Sequence, residues 1–175
     1  MKNLMLFLCF ATLLSSCKNL VPYTDAIRQR HSWGEQELKQ IQFYTSDPIV
    51  LQRKITEGGT EIISGKIKMV NGEKVEEIII KEKTPGLLVR EASGKFSISF
   101  EKSDDYFINF GQNPNMQGRY SIAFSGLKNK VGRINYNGKE YYTAPESVEA
   151  ILLVDLRKID KSEVNQRVAS GRKIK

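Results

Sequence analysis

Apolar and polar residues alternate along most of the chain after residue 40, and this two-residue period predicts β-strands. The clearest case is residues 95–101, where Phe96, Ile98 and Phe100 fall on one face and serines on the other. Turn residues such as glycine, proline and asparagine separate these short segments. About ten such strands predict an all-β, mainly antiparallel body, either a sandwich or a partly closed barrel.

Two Asn-Gly pairs divide alternating segments and predict tight hairpins. Asn71-Gly72 follows a strand pattern at residues 63–70, and Asn137-Gly138 separates the patterns at residues 132–136 and 139–143. Asparagine and glycine both tolerate the positive φ that a type I′ turn requires. The sequence therefore predicts two hairpins within the β body.

The N-terminal part of the chain carries helix signals instead of alternation. Thr24 can cap a first turn, and Ser32 with Glu35 has the Ser-x-x-Glu spacing of a capping box. This spacing predicts a short helix over residues 33–39. Trp33 is either a hydrophobic peg that docks this segment on the body or part of a partner surface, and we favour the peg.

The first seventeen residues have the order of a secretory signal. Lys2 supplies a positive charge, residues 4–14 form a nearly unbroken apolar run, and small residues precede a cysteine. The run is too short for a transmembrane helix, which needs roughly 20 apolar residues. The segment Leu14-Ser15-Ser16-Cys17 resembles the lipobox of bacterial lipoproteins, a class abundant in the Bacteroidota.

The resemblance to bacterial lipoproteins implies that Cys17 is lipidated. In that class a diacylglyceryl group alkylates the thiol and the chain is cut before the cysteine, so fatty acids such as palmitate anchor the protein. The alternative is a spare Cys17 near an ordinary secretory cleavage site. Cys9 would leave with the signal, so lipidation of Cys17 excludes an intrachain disulfide. Lys18 follows instead of an acidic residue, which implies the periplasmic leaflet of the outer membrane, with surface display as the alternative.

These patterns divide the chain into a lipoprotein signal, a tether, a domain and a tail. The signal covers residues 1–16, a lipidated tether with a short helix covers 17–40, the all-β domain covers 41–157, and a basic tail covers 158–175. Of the 175 residues 40% are hydrophobic, which is enough for one folded domain. The net charge of +7 fits a lysine-rich solvated surface better than a nucleic-acid site, because an exported location argues against nucleic acid as a partner.

Residues that usually carry catalysis are scarce. His31 is the sole histidine and lies in the tether, so neither a Ser-His-Asp triad nor a zinc site is expected. Glu76 and Glu77 are adjacent in a strand pattern and should point to opposite faces. Asp104-Asp105 fits a solvated turn better than a calcium site. We expect no enzyme activity, no cofactor and no metal.

The remaining candidates for binding are tyrosines and one polar loop. Tyr141 and Tyr142 must face opposite ways, so one should enter the core. A surface tyrosine beside Arg133 could hold a partner or a sugar, but packing against Tyr136 explains the same residues without a ligand, and we favour it. Residues 111–118 are polar and bracketed by glycine, which predicts a loop.

The function that fits these features is a non-enzymatic binding or scaffolding module of the bacterial cell envelope. It would be anchored to the membrane through Cys17 and would bind an envelope protein, for example in a secretion assembly. The alternative is a β-barrel carrier of a small apolar or glycan ligand. A carrier should enclose an unfilled cavity of roughly 300 Å³ or more, whereas a scaffold should have a filled core and an exposed patch or strand edge.

Overall fold

The computed structural model describes residues 19–55, 66–70 and 73–157. This part of the chain contains thirteen β-strands in two sheets, with short helices between some of them. The strands are β1 (Leu20–Pro22), β2 (Gln42–Thr45), β3 (Ile49–Lys54), β4 (Lys66–Val70), β5 (Glu73–Ile80), β6 (Pro85–Ala92), β7 (Lys95–Ser99), β8 (Phe107–Asn113), β9 (Arg119–Ile122), β10 (Gly126–Lys128), β11 (Val131–Tyr136), β12 (Lys139–Thr143) and β13 (Leu152–Asp155). The helices are α1 (Asp25–Arg30), α2 (Glu35–Leu38) and two 3-10 helices (Pro114–Met116 and Pro145–Glu149).

The two sheets pack as a sandwich. The first has the strand order β1-β13-β2-β6-β7-β8-β9, and the second has the order β10-β11-β12-β3-β5-β4. Neighbouring strands are antiparallel in every pair described. The described residues do not form a closed barrel, although isolated bridges from Thr24 to Arg119 and from Ser121 to Ile151 curl the first sheet toward itself. The all-β prediction is confirmed, in the form of a sandwich.

Aromatic side chains fill the space inside the curled first sheet. Tyr23, Phe43, Phe96 and Tyr120 pack ring against ring with centroid separations of 4.9 to 6.0 Å. Each of the four is at most 3% exposed. Such ring pairs contribute about 0.5–1.5 kcal/mol each beyond the burial of apolar area. The second sheet continues the same core with aliphatic residues, namely Ile49, Leu51, Ile78, Ile80 and Ile134.

Alternation along β7 identified the core face correctly. Phe96 and Ile98 are fully buried, as predicted. Ser97 and Ser99 point the other way and are nevertheless buried as well. The Ser97 hydroxyl donates to Asn109 Oδ1 on the neighbouring strand β8 at 2.8 Å, so its polar group is satisfied although it is buried. A polar face is therefore not always a solvated one.

Both predicted hairpins correspond to paired strands. At the β11–β12 turn, Asn137 and Gly138 have φ values of 48° and 73°, which is the left-handed geometry of a type I′ turn, so that hairpin is confirmed. β4 and β5 pair with Val70 opposite Glu73, and Asn71-Gly72 lies outside the described residues. The second predicted hairpin is therefore confirmed, and for the first the structure describes the pairing of its two strands.

The predicted loop over residues 111–118 is partly wrong. Its first part, up to Asn113, extends β8, and Pro114–Met116 is a 3-10 helix. The reversal itself occurs at Gln117 and Gly118, which have φ values of 59° and 74°. Polar composition hid the strand because β8 and β9 pair through backbone groups, which do not depend on apolar side chains.

The helical segment near the N-terminus differs from its prediction. α1 begins after Thr24, whose hydroxyl accepts an amide proton of the first turn, as predicted. α2 begins after Gly34, whose N–H donates to Glu37 Oε2 at 3.0 Å. The predicted capping box from Ser32 to Glu35 is therefore wrong. Ser32 instead ends α1 in the left-handed region, with φ of 53°.

Much of the segment predicted to be a tether belongs to the folded body. β1 pairs with β13 at the edge of the first sheet. Trp33 is 7% exposed and Leu38 is fully buried, and both belong to the core, so the prediction of Trp33 as a peg is confirmed. β1 has only three residues and ends in Pro22, so it shows no alternation from which a strand could be predicted.

Candidate functional sites

Cys17, the one site residue predicted from the sequence, lies outside the described residues, as does the basic tail over residues 158–175. The first strand, β1, begins at Leu20. Three residues span at most about 11 Å of extended chain. A lipid on Cys17 would therefore hold the edge of the first sheet close to the membrane surface.

A cleft of about 430 Å³ lies between α1 and the first sheet. We call it the α1 cleft. It is open to solvent, and α1 supplies one wall while β6 and β9 supply the others. Its principal lining residues are Asp25, Arg28, Ser32, Trp33, Glu91 and Tyr120.

Arg28 is fixed in the α1 cleft by protein partners. Its two terminal nitrogens donate to Glu91 Oε1 and Oε2 at 2.7 and 3.1 Å, and its Nε donates to the Trp33 carbonyl at 3.1 Å. The guanidinium carbon lies 5.9 Å from the centre of the Phe96 ring. The hydrogen bonds that Arg28 donates to Glu91 raise the pKa of Arg28 above its already high ordinary value. The guanidinium therefore remains charged and bound to Glu91.

Two tyrosines adjoin the same cleft. The Tyr120 hydroxyl donates to Asp25 Oδ1 at 2.7 Å, and burial followed by this hydrogen bond raises the pKa of Tyr120. The Tyr23 ring packs 4.9 Å from the Tyr120 ring. The Tyr23 hydroxyl is buried and has no hydrogen-bond partner among the described residues. An unsatisfied buried hydroxyl costs about 1–3 kcal/mol.

The Tyr23 side chain is buried next to Tyr120, which lines the cleft. Burial is the main cause of its raised pKa, and the charges of Arg28, Asp25 and Glu91 also act on it. All three charged residues line the α1 cleft. The hydroxyl therefore stays protonated at neutral pH.

A second charged cluster lies inside the second sheet. Arg53 on β3 stands opposite Glu76 on β5, and its Nε and one terminal nitrogen donate to Glu76 Oε2 at 3.1 and 2.6 Å. The Tyr141 hydroxyl donates to the same oxygen at 3.0 Å. Glu76 is fully buried. Burial and the hydrogen bond to Glu76 together raise the pKa of Tyr141 to about 12. This cluster joins three neighbouring strands and has a structural role.

The prediction that Glu76 and Glu77 face opposite ways is confirmed. Glu76 points inward to Arg53 and Tyr141, whereas Glu77 accepts from Gln52 Nε2 at 2.9 Å on the other face. Two adjacent carboxylates on one strand therefore do not share a site. Within the described part of the chain, no three histidine, cysteine, aspartate or glutamate side chains gather as a metal site would require.

An apolar patch is exposed at one end of the second sheet. Leu127, Val131 and Tyr142 are 56%, 37% and 46% exposed, and with Arg133 and Lys128 they line a shallow depression of about 510 Å³. We call this surface the edge patch. It includes β10, the last strand of the sheet, which among the described strands is paired on one side only. Unpaired strand edges and exposed apolar side chains are both typical of protein contact surfaces.

The tyrosines of β11 and β12 divide as predicted. Tyr141 is fully buried and packs edge-on against Tyr136 at 5.9 Å, which confirms the favoured interpretation. Tyr142 is exposed, and its hydroxyl donates to Glu140 Oε1 at 2.8 Å, while Arg133 lies 3.6 Å from the same carboxylate. Tyr142 is therefore a surface tyrosine that adjoins Arg133.

No sequence pattern points to the α1 cleft. Asp25 and Arg28 lie on one helix, but Glu91 and Tyr120 come from distant strands that only the tertiary structure brings together. The edge patch could have been found in part, since Val131, Arg133 and Tyr142 occupy the outward positions of a predicted hairpin. Its exposure depends on whether another element covers that face.

Comparison with protein-family models, curated proteins and solved structures yields no match for this chain. In the described residues, no helix combines the length and the apolar character needed to cross a bilayer. Proposals about function therefore rest on the residues and geometry given above.

Proposed function

We propose that this protein is a lipid-anchored, non-enzymatic binding module of the bacterial cell envelope that holds an envelope protein at the edge patch. The partner would present an extended, partly apolar segment with acidic residues. The observation that carries the proposal is the exposed edge patch, where an unpaired strand and apolar side chains occur together.

The edge patch suits a strand-like partner in both backbone and side-chain chemistry. β10 can accept an added strand because one of its sides is unpaired, and main-chain hydrogen bonds would supply affinity. Leu127, Val131 and Tyr142 offer apolar contact next to the strand. Lys128 and Arg133 line the same depression and favour a partner with acidic groups.

The anchor would add to this binding by restricting where the module can be. A lipidated Cys17 would hold the start of β1 within about 11 Å of the lipidated residue, since Cys17 lies only three positions before Leu20. A protein confined in this way meets membrane-bound partners at a raised effective concentration. Stable anchoring needs two or more acyl chains, which a diacylglyceryl group provides.

The carrier interpretation receives less support. A carrier needs an unfilled space among its core residues, and the rings of Tyr23, Phe43, Phe96 and Tyr120 occupy the interior of the curled first sheet. The edge patch and the α1 cleft are both open at the surface. A ligand held there would be only partly removed from water.

In-cell photo-cross-linking tests the proposed interface. A photo-reactive phenylalanine analogue replaces Tyr142 in the edge patch, and in a matched control it replaces Leu87, which is 53% exposed on the first sheet. We expect one reproducible envelope protein to be captured from position 142 only. Leu127→Pro and Arg133→Glu, which remove a β10 amide donor and reverse a charge, should each abolish that product.

The same experiment distinguishes the alternatives. Equal capture from both positions, or persistence of the product in both variants, would contradict the proposed interface. A small molecule that co-purifies in constant proportion with the protein, without any cross-linked partner, would favour the carrier.

Fractionation of Cys17→Ser tests the anchor separately. The variant should fold normally and move from the membrane to the soluble fraction, because it has no thiol to be acylated. Intact-mass measurement of the wild-type protein should show a diacylglyceryl addition. An unchanged distribution of the variant would refute lipid anchoring while leaving the interface to be judged by cross-linking.

A further inference from the structure

We propose that β10 binds an antiparallel strand of an envelope protein in one register, through a tripeptide in which an apolar residue stands between two acidic residues. The strand would add to the side of β10 that is unpaired among the described strands, which we call the free edge. This binding mode rests on the proposed function and adds to it the register and the side-chain pattern of the partner. Both follow from the β10–β11 hairpin and from the side chains around it.

The turn between β10 and β11 determines which backbone groups of β10 are already paired. Its two residues have φ values of 51° and 59°, as a type I′ turn requires. Such a turn is closed by a hydrogen bond between the flanking residues, here Lys128 and Val131. Hydrogen-bonded and non-hydrogen-bonded pairs alternate along an antiparallel ladder. The next pair, Leu127 opposite Gly132, is therefore a non-hydrogen-bonded pair.

Two hydrogen bonds of β11 lead to the same assignment. The Ser125 N–H donates to the Arg133 carbonyl at 2.8 Å, so Arg133 directs its backbone groups toward β10. The N–H of the preceding residue, Gly132, donates to Thr143 Oγ1 at 3.0 Å, on the side of β12. Gly132 therefore leaves the backbone groups of Leu127 without a partner on β11. The N–H and the C=O of Leu127 both point toward the free edge.

Leu127 is therefore the residue at which an added strand forms its main-chain hydrogen bonds. β10 has three residues, and Gly126 and Lys128 direct their backbone groups toward β11. In an antiparallel pair, one partner residue exchanges both of its hydrogen bonds with the residue opposite. A single partner residue opposite Leu127 thus forms both main-chain bonds to β10, and this fixes the register.

The two faces of the sheet differ in chemistry at the free edge. Leu127 lies on the face of Ile134, beyond the buried core, and is 56% exposed. The opposite face bears Lys128 and Arg133, and the Arg133 guanidinium lies over Gly126, with Nε 3.6 Å from the position of a Cβ. Successive side chains of a strand alternate between faces. The partner residue opposite Leu127 therefore meets an apolar side chain, and its two neighbours meet cations.

The charges around the free edge favour carboxylates at those two neighbouring positions. Lys128, Lys130 and Arg133 are all exposed. Glu140, with its closest oxygen 3.6 Å from Arg133 Nε, offsets one of these three positive charges. A partner with lysine or arginine at the two positions would be repelled, and a neutral one would leave the cations uncompensated. The order that fits is acidic, apolar, acidic.

Two peptides of equal composition and charge test this order. Acetyl-Thr-Thr-Glu-Leu-Glu-Thr-Thr-amide has the proposed pattern, whereas acetyl-Thr-Glu-Thr-Leu-Thr-Glu-Thr-amide places its carboxylates on the face of the leucine. Isotope-labelled full-length protein in nonionic detergent is titrated with each peptide, and NMR follows the Leu127 amide. We expect the first peptide to cause a saturable shift and slower hydrogen exchange of that amide. The second should bind at least about tenfold more weakly.

N-methylation of the first peptide tests the register. A methyl group on the leucine nitrogen removes the donor to the Leu127 carbonyl and should weaken binding at least about tenfold. The matched control has its methyl group on the following glutamate nitrogen, whose N–H points away from β10 in an antiparallel pair, and should bind like the parent peptide. Equal affinities of the two methylated peptides, or weaker binding of the control, would overturn the register.

Charge exchange tests the side-chain assignment. The double variant Lys128→Glu/Arg133→Glu should lose binding of the glutamate peptide at least about tenfold and should bind acetyl-Thr-Thr-Lys-Leu-Lys-Thr-Thr-amide instead. The control variant, Lys81→Glu/Lys102→Glu, reverses two exposed lysines outside the edge patch and should bind like the wild type. An unchanged preference for the glutamate peptide in the first variant would contradict the assignment.

The titrations and the in-cell cross-link fail independently. If position 142 captures a partner but the peptides bind without regard to order, the interface is retained and the register is refuted. If the peptides bind in the proposed order but no partner is captured, the proposed function is refuted and the binding pattern is retained. Absence of any saturable shift of the Leu127 amide at up to about 5 mM of the first peptide would also overturn the pattern.

Discussion

Two arginine–glutamate pairs in this protein have similar geometry in different surroundings. The closest nitrogen–oxygen distance is 2.7 Å in Arg28–Glu91 and 2.6 Å in Arg53–Glu76. Each guanidinium also lies over an aromatic ring, at 5.9 and 5.6 Å from its centre. The carboxylate of Glu91 is 22% exposed, however, whereas that of Glu76 is fully buried.

The difference in burial determines what each pair contributes. A partly exposed carboxylate recovers water when its partner is removed, so such a pair adds little to stability. A fully buried carboxylate cannot do so, and loss of its cation leaves a charge in a medium of low polarity. Arg53–Glu76 is therefore a structural pair within one sheet, while Arg28–Glu91 lies in a cleft that is open to solvent.

The largest effect is expected from removing the buried cation. Arg53→Met should lower the free energy of unfolding by about 3–5 kcal/mol, because Glu76 loses its charged partner on β3. Urea denaturation measures the change. The double variant Arg53→Met/Glu76→Leu should recover at least half of the loss, since the buried carboxylate that lost its cation is then removed as well. A loss under about 1 kcal/mol in the single variant would show that Glu76 is not effectively buried.

Alkaline pH should act on the same buried cluster. The pKa of Tyr141 is raised to about 12, whereas an unfolded tyrosine titrates near about 10. The unfolded state therefore loses its proton first. The contribution of the Tyr141 phenol to the free energy of unfolding is complete below about pH 10. It declines by about 1.4 kcal/mol per pH unit between about pH 10 and 12.

Urea midpoints between pH 8 and 12 check this pH dependence. Tyr141→Phe should show a shallower decline than the wild type over that range, because it has no phenol to titrate. Tyr142→Phe is the matched control, since Tyr142 is exposed on the next residue and should leave the decline almost unchanged. Identical slopes in the wild type and Tyr141→Phe would contradict the role assigned to burial.

A smaller effect is expected at the α1 cleft. Arg28→Met should lower the free energy of unfolding by about 1 kcal/mol, because Glu91 can be hydrated once its partner is gone. High salt should also reduce the contribution of the Arg28–Glu91 pair to the stability of the wild type. Urea denaturation in low and high salt provides the measurement. A loss as large as that of Arg53→Met would remove the distinction between the two pairs.

The smallest effect should be a gain at the end of α1. Ser32 has a left-handed φ of 53°, a conformation that glycine adopts without strain. Ser32→Gly should stabilise the protein by about 0.5 kcal/mol, which is the strain relief less the greater freedom of glycine in the unfolded chain. Ser32→Ala retains a Cβ and should give no gain. Thermal melts of the two variants side by side decide the point.

The same two pairs show how much of the molecule could be predicted from sequence. Arg53 and Glu76 stand directly opposite on paired strands, so a correct register places them together. Arg28 and Glu91 are 63 residues apart, on a helix and on a strand far along the chain. No local pattern connects them. Sequence patterns thus indicate contacts within a hairpin or between strands of known register, and fail for contacts that depend on packing.

The helix starts show the same limit at smaller scale. Ser32 and Gly34 are both acceptable N-cap residues, and the Ser-x-x-Glu spacing favoured Ser32. In the structure Gly34 caps α2, because Trp33 must reach the core and Ser32 completes the end of α1. Burial of the Trp33 ring therefore outweighed the preference for Ser32 as the N-cap, which is worth about 1 kcal/mol.

Residue order alone determined the all-β class, the Asn137-Gly138 turn and the inward positions of Phe96 and Ile98, because backbone dihedrals and strand periodicity are local properties. Tertiary structure decided which faces are covered and which side chains meet. It curled the first sheet around an aromatic core, joined β1 to β13, left the edge patch exposed and brought α1 beside Glu91. These outcomes depend on how distant surfaces pack, and packing is a property of the whole chain.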